Sequence, residues 1–146
     1  MRTDISAVDR IGNGIVAGFI ATVAMSVLHE AVEFLTEAVG APNPALGWVF
    51  HFFVGTLLWG GAFGLAHDYL PGASWLRGTI FGGLVALIVL FCVMPLVGAG
   101  MLGLEFDTFA PLFIVIAHLV YGTVLGVAYG KLTDTDEAHE NEAAAR

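Results

Sequence analysis

The stretch LRGTIFGGLVALIVLFCVMPLVG, residues 76–98, decides the fold class because it is long and apolar enough to cross a bilayer as a single helix. The hydrocarbon core of a bilayer takes about 20 apolar residues in an α-helix. Arg77, at the start of the stretch, is its only charged residue. The stretch therefore predicts a transmembrane helix.

Two further apolar stretches of similar length precede it, at residues 11–34 and 46–66, and a third follows it, at residues 109–130. The segments between them are rich in Gly, Pro and acidic residues, which are typical of loops. Lipid cannot hydrogen-bond a bare backbone, so an open spanning segment must be helical. We therefore predict an all-α integral membrane bundle of four transmembrane helices over residues 11–132. A cytoplasmic segment, residues 1–10, precedes it, and a disordered acidic cytoplasmic tail, residues 133–146, follows it.

The composition agrees with a membrane protein and excludes other classes. Of the 146 residues, 58% are hydrophobic and only 12% are charged, against about 25% charged in an ordinary soluble domain. The single cysteine, Cys92, cannot form an internal disulfide. Five basic residues against thirteen acidic ones cannot neutralise a phosphate backbone, which excludes nucleic acid as a partner.

The basic residues predict the orientation of the chain in the cell membrane. All five fall on one side of the predicted spans: Arg2, Arg10, Arg77, Lys131 and Arg146. The positive-inside rule then predicts that both termini are cytoplasmic.

Two of the predicted spans share the pattern H-x-x-x-G-T-x-L, which begins at His51 in one and at His118 in the other. The remaining two spans share a G-x-x-x-G pattern, at residues 14–18 and 78–82. We therefore predict two parallel two-helix repeats related by an axis along the membrane normal, with His51 and His118 facing each other. The glycines also predict faces on which helices pack closely.

The paired histidines favour a cofactor site in the outer half of the bilayer. Two imidazoles at matched depth can hold a haem b iron from both sides. Four further residues would make room for the porphyrin or support the ligands: Gly55, Gly122, Thr56 and Thr123. The protein would then be an electron-transfer subunit that serves a quinone or an external carrier. Haem propionates prefer Arg or Lys, and the predicted outer side has neither.

A copper or zinc site is a further interpretation, because imidazole and thioether ligands suit these metals. Its candidate ligands are His29, His51, His118, Met25 and Met94. The same chain could also move protons or ions along polar groups inside the membrane. Those groups are His29, Glu30, Glu33 and His118.

The alternative to all of these is a non-catalytic structural or assembly subunit, in which the intramembrane histidines only hydrogen-bond across the bundle. The sequence has no motif that assigns a catalytic residue. The lipid bilayer is the predicted partner, and glycine faces left over after bundle packing favour a homo-oligomer or a place in a larger complex. We predict that His67 and Asp68 form a solvated helix end.

Four glycine-rich motifs of the chain resemble those of a known group of proteins: Gly18-x-x-Ala21-Thr22-x-x-Met25, Arg77-Gly78-x-x-Phe81-Gly82, Met94-Pro95-x-x-Gly98 and His118-x-x-Tyr121-Gly122-x-x-x-Gly126-x-x-Tyr129-Gly130. The group is a family of small uncharacterised four-helix membrane proteins that is common in haloarchaea. The resemblance covers about residues 14–130. It implies the same fold and a salt-loving source, and it implies no activity, because the family has none established.

Overall fold

A computed structural model describes residues 6–28, 32–33, 36–37, 40 and 43–144, with side chains as far as residue 134. In these ranges the regular structure is entirely helical, as predicted. The long helices, numbered here in chain order, are α1 (Ala7–Met25), α2 (Pro44–Tyr69), α3 (Ser74–Leu96) and α4 (Ala110–Ala144). Each of the four is long and apolar enough to cross a membrane.

Two of the helices are not α-helical throughout. The middle of α2, Phe53–Gly60, has π-type hydrogen bonding, and α2 ends in a 3₁₀ turn at His67–Tyr69. The segment Val89–Val93 of α3 is also π-type. A π-type segment has i→i+5 hydrogen bonds and occurs as an insertion within an α-helix. A separate short 3₁₀ turn, Met101–Gly103, lies between α3 and α4.

The ends of α1 and α4 differ from the sequence-based prediction. The structure ends α1 at Met25, whereas the apolar stretch predicted a span to residue 34. Ser26 follows at once, and its hydroxyl donates to the Thr22 carbonyl. At the other end, α4 continues to Ala144, through most of the tail that was expected to be disordered. Ala and Glu in that segment are strong helix formers.

Glycines bring the backbones of neighbouring helices into direct contact. A side chain added at Gly14 of α1 would overlap the Gly60 carbonyl oxygen of α2. One added at Gly78 of α3 would overlap the Gly122 carbonyl oxygen of α4. The predicted glycine faces are therefore packing surfaces, one joining α1 to α2 and the other joining α3 to α4.

Large side chains make the further contacts between α2, α3 and α4. The ring of Phe63 in α2 lies 5.3 Å from that of Phe81 in α3 and 5.4 Å from that of Tyr129 in α4. Leu125 of α4 is fully buried in the same core. The outer faces of the helices carry many exposed apolar side chains, including Phe19, Leu87 and others. That outward apolar surface suits contact with lipid.

We predict that Gly78→Ala destabilises the protein and that Gly83→Ala in the same helix does not. The new Cβ at residue 78 meets the backbone of α4, and overpacking of this kind costs about 1–3 kcal/mol. At residue 83 the nearest atom is a Leu119 methyl 3.7 Å away, an ordinary contact. Thermal unfolding of the detergent-purified proteins checks the difference. Equal melting temperatures would contradict direct backbone contact between α3 and α4.

Candidate functional site

His51 bonds α2 to the end of α1. Its Nε2 lies 3.3 Å from the Ser26 hydroxyl and 3.4 Å from the Thr22 carbonyl oxygen. The side chain is half-buried, and the rings of Trp48 and Phe52 contact its ring edge to face. This imidazole therefore already has partners within the protein.

A hydrogen bond from α4 reaches the same region. The Tyr121 hydroxyl donates to the carbonyl oxygen of Gly55, inside the π-type segment of α2. We call the group formed by Thr22, Ser26, His51, Tyr121 and the Gly55 carbonyl the His51 cluster. Tyr121 lies one turn after His118, and Gly55 lies one turn after His51. The bond between them therefore supports a similar level for the two histidines along their parallel helices.

The two histidines are not joined to each other. The Nδ1 of His118 donates to the Ile114 carbonyl of its own helix, at 2.8 Å. Within the described ranges, no hydrogen bond or ring contact connects His118 with His51. The side chain of His51 is directed instead at α1.

The two glycines of the predicted haem site lie against neighbouring helices. A Cβ at Gly55 would overlap the Thr22 hydroxyl, and a Cβ at Gly122 would overlap the Gly78 carbonyl. The space beside each glycine is therefore filled by α1 and by α3, respectively. Close packing of helices accounts for both glycines without a porphyrin.

The two threonines of the predicted site have different surroundings. The Thr123 hydroxyl lies 2.8 Å from that of Thr79 in α3 and also donates to the Leu119 carbonyl. The Thr56 hydroxyl is buried and has no hydrogen-bond partner among the residues that the structure describes. Thr123 thus contributes to the α3–α4 contact.

The two candidate methionine ligands have apolar surroundings. Met25 belongs to the hydrophobic core, and the buried Met94 packs near the Gly103 backbone, which follows α3. His29 and Glu30 lie outside the described residues, and Glu33 is exposed. In the described part of the chain, no three His, Cys, Asp or Glu side chains are grouped closely enough to hold a metal ion.

A second polar group lies at the opposite end of α2, where the sequence predicted a solvated helix end. His67 is only 8% exposed. Its Nδ1 lies 2.9 Å from an Asp68 carboxylate oxygen, and its Nε2 lies 3.2 Å from the Ser74 hydroxyl at the start of α3. The ring packs on Tyr129 of α4, with ring centres 4.5 Å apart. The prediction of a solvated end is wrong for His67.

Two arginines complete this group, which we call the His67 cluster: Arg10, His67, Asp68, Ser74, Arg77 and Tyr129. The Arg10 guanidinium lies 2.8 Å from the Asp68 carboxylate. Arg77 lies 3.7 Å from that carboxylate and 3.2 Å from His67 Nδ1, and it also donates to the Gly72 carbonyl. One carboxylate thus connects the ends of α1, α2 and α3.

The sequence contained a signal for the His67 cluster. The positive-inside pattern already placed Arg10, Arg77 and the His67–Asp68 pair at one end of the bundle. The pattern does not show which of these residues contact each other. Arg10 reaches Asp68 because its backbone packs on Gly64 of α2.

These features define a class of protein: a chain whose described part has four long, apolar helices of membrane-spanning length, packed through glycines and joined by internal polar contacts. The chain belongs to the family of unknown function DUF6789, whose model matches residues 8–140. This confirms the resemblance to an uncharacterised family. Searches of curated proteins and of solved structures gave no match to the chain.

We predict a measurable coupling between Arg10 and Asp68. A double-mutant cycle of Arg10→Gln and Asp68→Asn should give an interaction energy of about 0.5–1 kcal/mol, because both side chains are partly exposed and solvent screens the pair. Unfolding of the four proteins in detergent measures it. The same cycle with Asp134→Asn in place of Asp68→Asn is the control and should give no coupling. Strict additivity for Arg10 and Asp68 would contradict the ion pair.

Proposed function

We propose that this protein is a small structural or assembly subunit of the cell membrane that works without a bound cofactor. The observation that carries the proposal is the pairing of its intramembrane histidines with the protein's own groups. His51 has Ser26 and the Thr22 carbonyl, and His118 has the Ile114 carbonyl. Each of the two histidines therefore has one ring nitrogen hydrogen-bonded within the bundle, which accounts for that part of its polarity without a ligand.

The helix packing supports the arrangement and the orientation that we propose for the four helices. The α1–α2 and α3–α4 hairpins both close through glycine backbones, at Gly14 with Gly60 and at Gly78 with Gly122. This likeness supports a duplicated two-helix unit with a parallel arrangement of the two copies. The clustering of Arg10 and Arg77 at one end of the bundle supports an orientation with both termini in the cytoplasm.

The orientation predicts which loops a reagent outside the cell can reach. In a Cys92→Ala background, Leu104→Cys should react with a membrane-impermeant maleimide in intact cells, because it lies in the α3–α4 loop. Ser6→Cys should react only after lysis. Both residues are exposed in the fold, so burial does not bias the comparison. The reverse labelling pattern would overturn the cytoplasmic location of the termini.

A bis-histidine haem b between His51 and His118 is the second candidate. The similar level of the two residues, supported by the Tyr121–Gly55 bond, favours it. It requires His51 to leave Ser26 and requires space that Thr22 and Gly78 now fill beside the two glycines. The copper or zinc site and the proton or ion path both include His29, which lies outside the described residues, so both stay predictions.

A visible spectrum separates the two candidates. We expect the protein, purified in detergent from a host that supplies haem, to lack a Soret band before and after dithionite reduction. His51→Ala should then lower the free energy of unfolding by about 1 kcal/mol, the usual value of a hydrogen bond, without any spectral change. His139→Ala, in the acidic C-terminal segment, is the control. Sharp reduced α and β bands that disappear in His51→Ala and His118→Ala would establish the haem protein instead.

A further inference from the structure

A groove runs along the outside of the bundle between α1 and α4. Its walls are apolar, with Ile20 on α1 and with Val124, Val127 and Ala128 on α4. Its volume is about 470 Å³. Ile20 and Val127 are more than two-fifths exposed, so the groove is open to the side of the bundle.

One end of the groove is charged. Lys131 lines it there, and it is the only lysine in the chain. It lies three residues before the end of the membrane-length part of α4 at Asp134. At this position a lysine stem can lie along apolar surface while its ammonium group reaches the headgroup level of a bilayer.

The groove therefore has the polarity of an anionic lipid. Its lining on α4 extends from Thr123 to Leu132, nine steps along the helix at 1.5 Å each, or roughly 14 Å. A stretch of acyl chain can lie along this length, with a phosphate at the lysine. We infer that the groove binds an anionic phospholipid, with an acyl chain between α1 and α4 and the phosphate at Lys131.

A second copy of the chain fits the groove less well. A symmetric contact centred on this surface would bring two lysines together and remove both from water. A zwitterionic lipid would fill the apolar part of the groove without using the charge. The net charge of −8 repels anions from the protein generally, so an anionic lipid that binds more tightly than a zwitterionic one needs a cationic group, and Lys131 is the cationic group that lines the groove.

Lipid binding at this groove goes beyond the proposed structural role, although both depend on the insertion of α1 and α4 in the membrane. Maleimide labelling tests the insertion, and lipid selectivity tests the groove, so the two can fail separately. The haem alternative does not affect it, because neither His51 nor His118 lines the groove.

Native mass spectrometry of the full chain tests the proposal, with dioleoyl phosphatidylglycerol and dioleoyl phosphatidylcholine as the lipids. The wild-type protein should bind phosphatidylglycerol more tightly. Lys131→Gln should weaken that binding about fivefold, the effect expected for one basic residue at an anionic surface, and leave phosphatidylcholine binding unchanged. Lys131→Arg should keep the preference, and Arg146→Gln, in the C-terminal segment, should not alter it.

A second variant tests the apolar part of the groove. Val127→Trp places a large ring in the groove at an exposed position, and it should lower the binding of both lipids while the melting temperature is retained. Equal affinity of the wild-type protein for the two lipids would overturn the proposal. Unchanged selectivity in Lys131→Gln, or a dimer that excludes lipid, would overturn it as well.

Discussion

Direct contact between helix backbones at glycine is the constraint on which the rest of this structure depends. Gly14 meets Gly60, and Gly78 meets Gly122, each time with no room for one further carbon atom. In a bilayer the hydrophobic effect does not drive helices together, because lipid is as apolar as the side chains. Association then depends on close packing, which a glycine face permits.

The close approach also explains why polar groups can lie inside the bundle. The Tyr121 hydroxyl reaches the Gly55 carbonyl, and His51 reaches Ser26, because the backbones that carry them are near each other. The bond at Gly55 falls in the π-type segment of α2, where the backbone ladder departs from the α-helix. A partly buried histidine can thus be part of the packing of a helix bundle, and its presence alone does not assign a cofactor.

The interior is divided into two polar regions by an apolar layer. Phe63, Phe81 and Leu125 lie between the His51 cluster and the His67 cluster. The His67 cluster ties three helix ends through one carboxylate, so it stabilises the bundle where the glycine contacts end.

The sequence by itself determined the class of fold and the packing faces. Long apolar stretches can only be helices in lipid, and glycines four residues apart can only form a narrow face, so both follow from local spacing. It did not determine the end of α1, because the apolar pattern continues to residue 34, nine residues beyond the last residue of the helix, Met25. The tertiary structure alone decided the partners of the histidines. The direction of a side chain depends on which helix lies beside it, and that brought His51 to Ser26 and buried His67 beside Asp68.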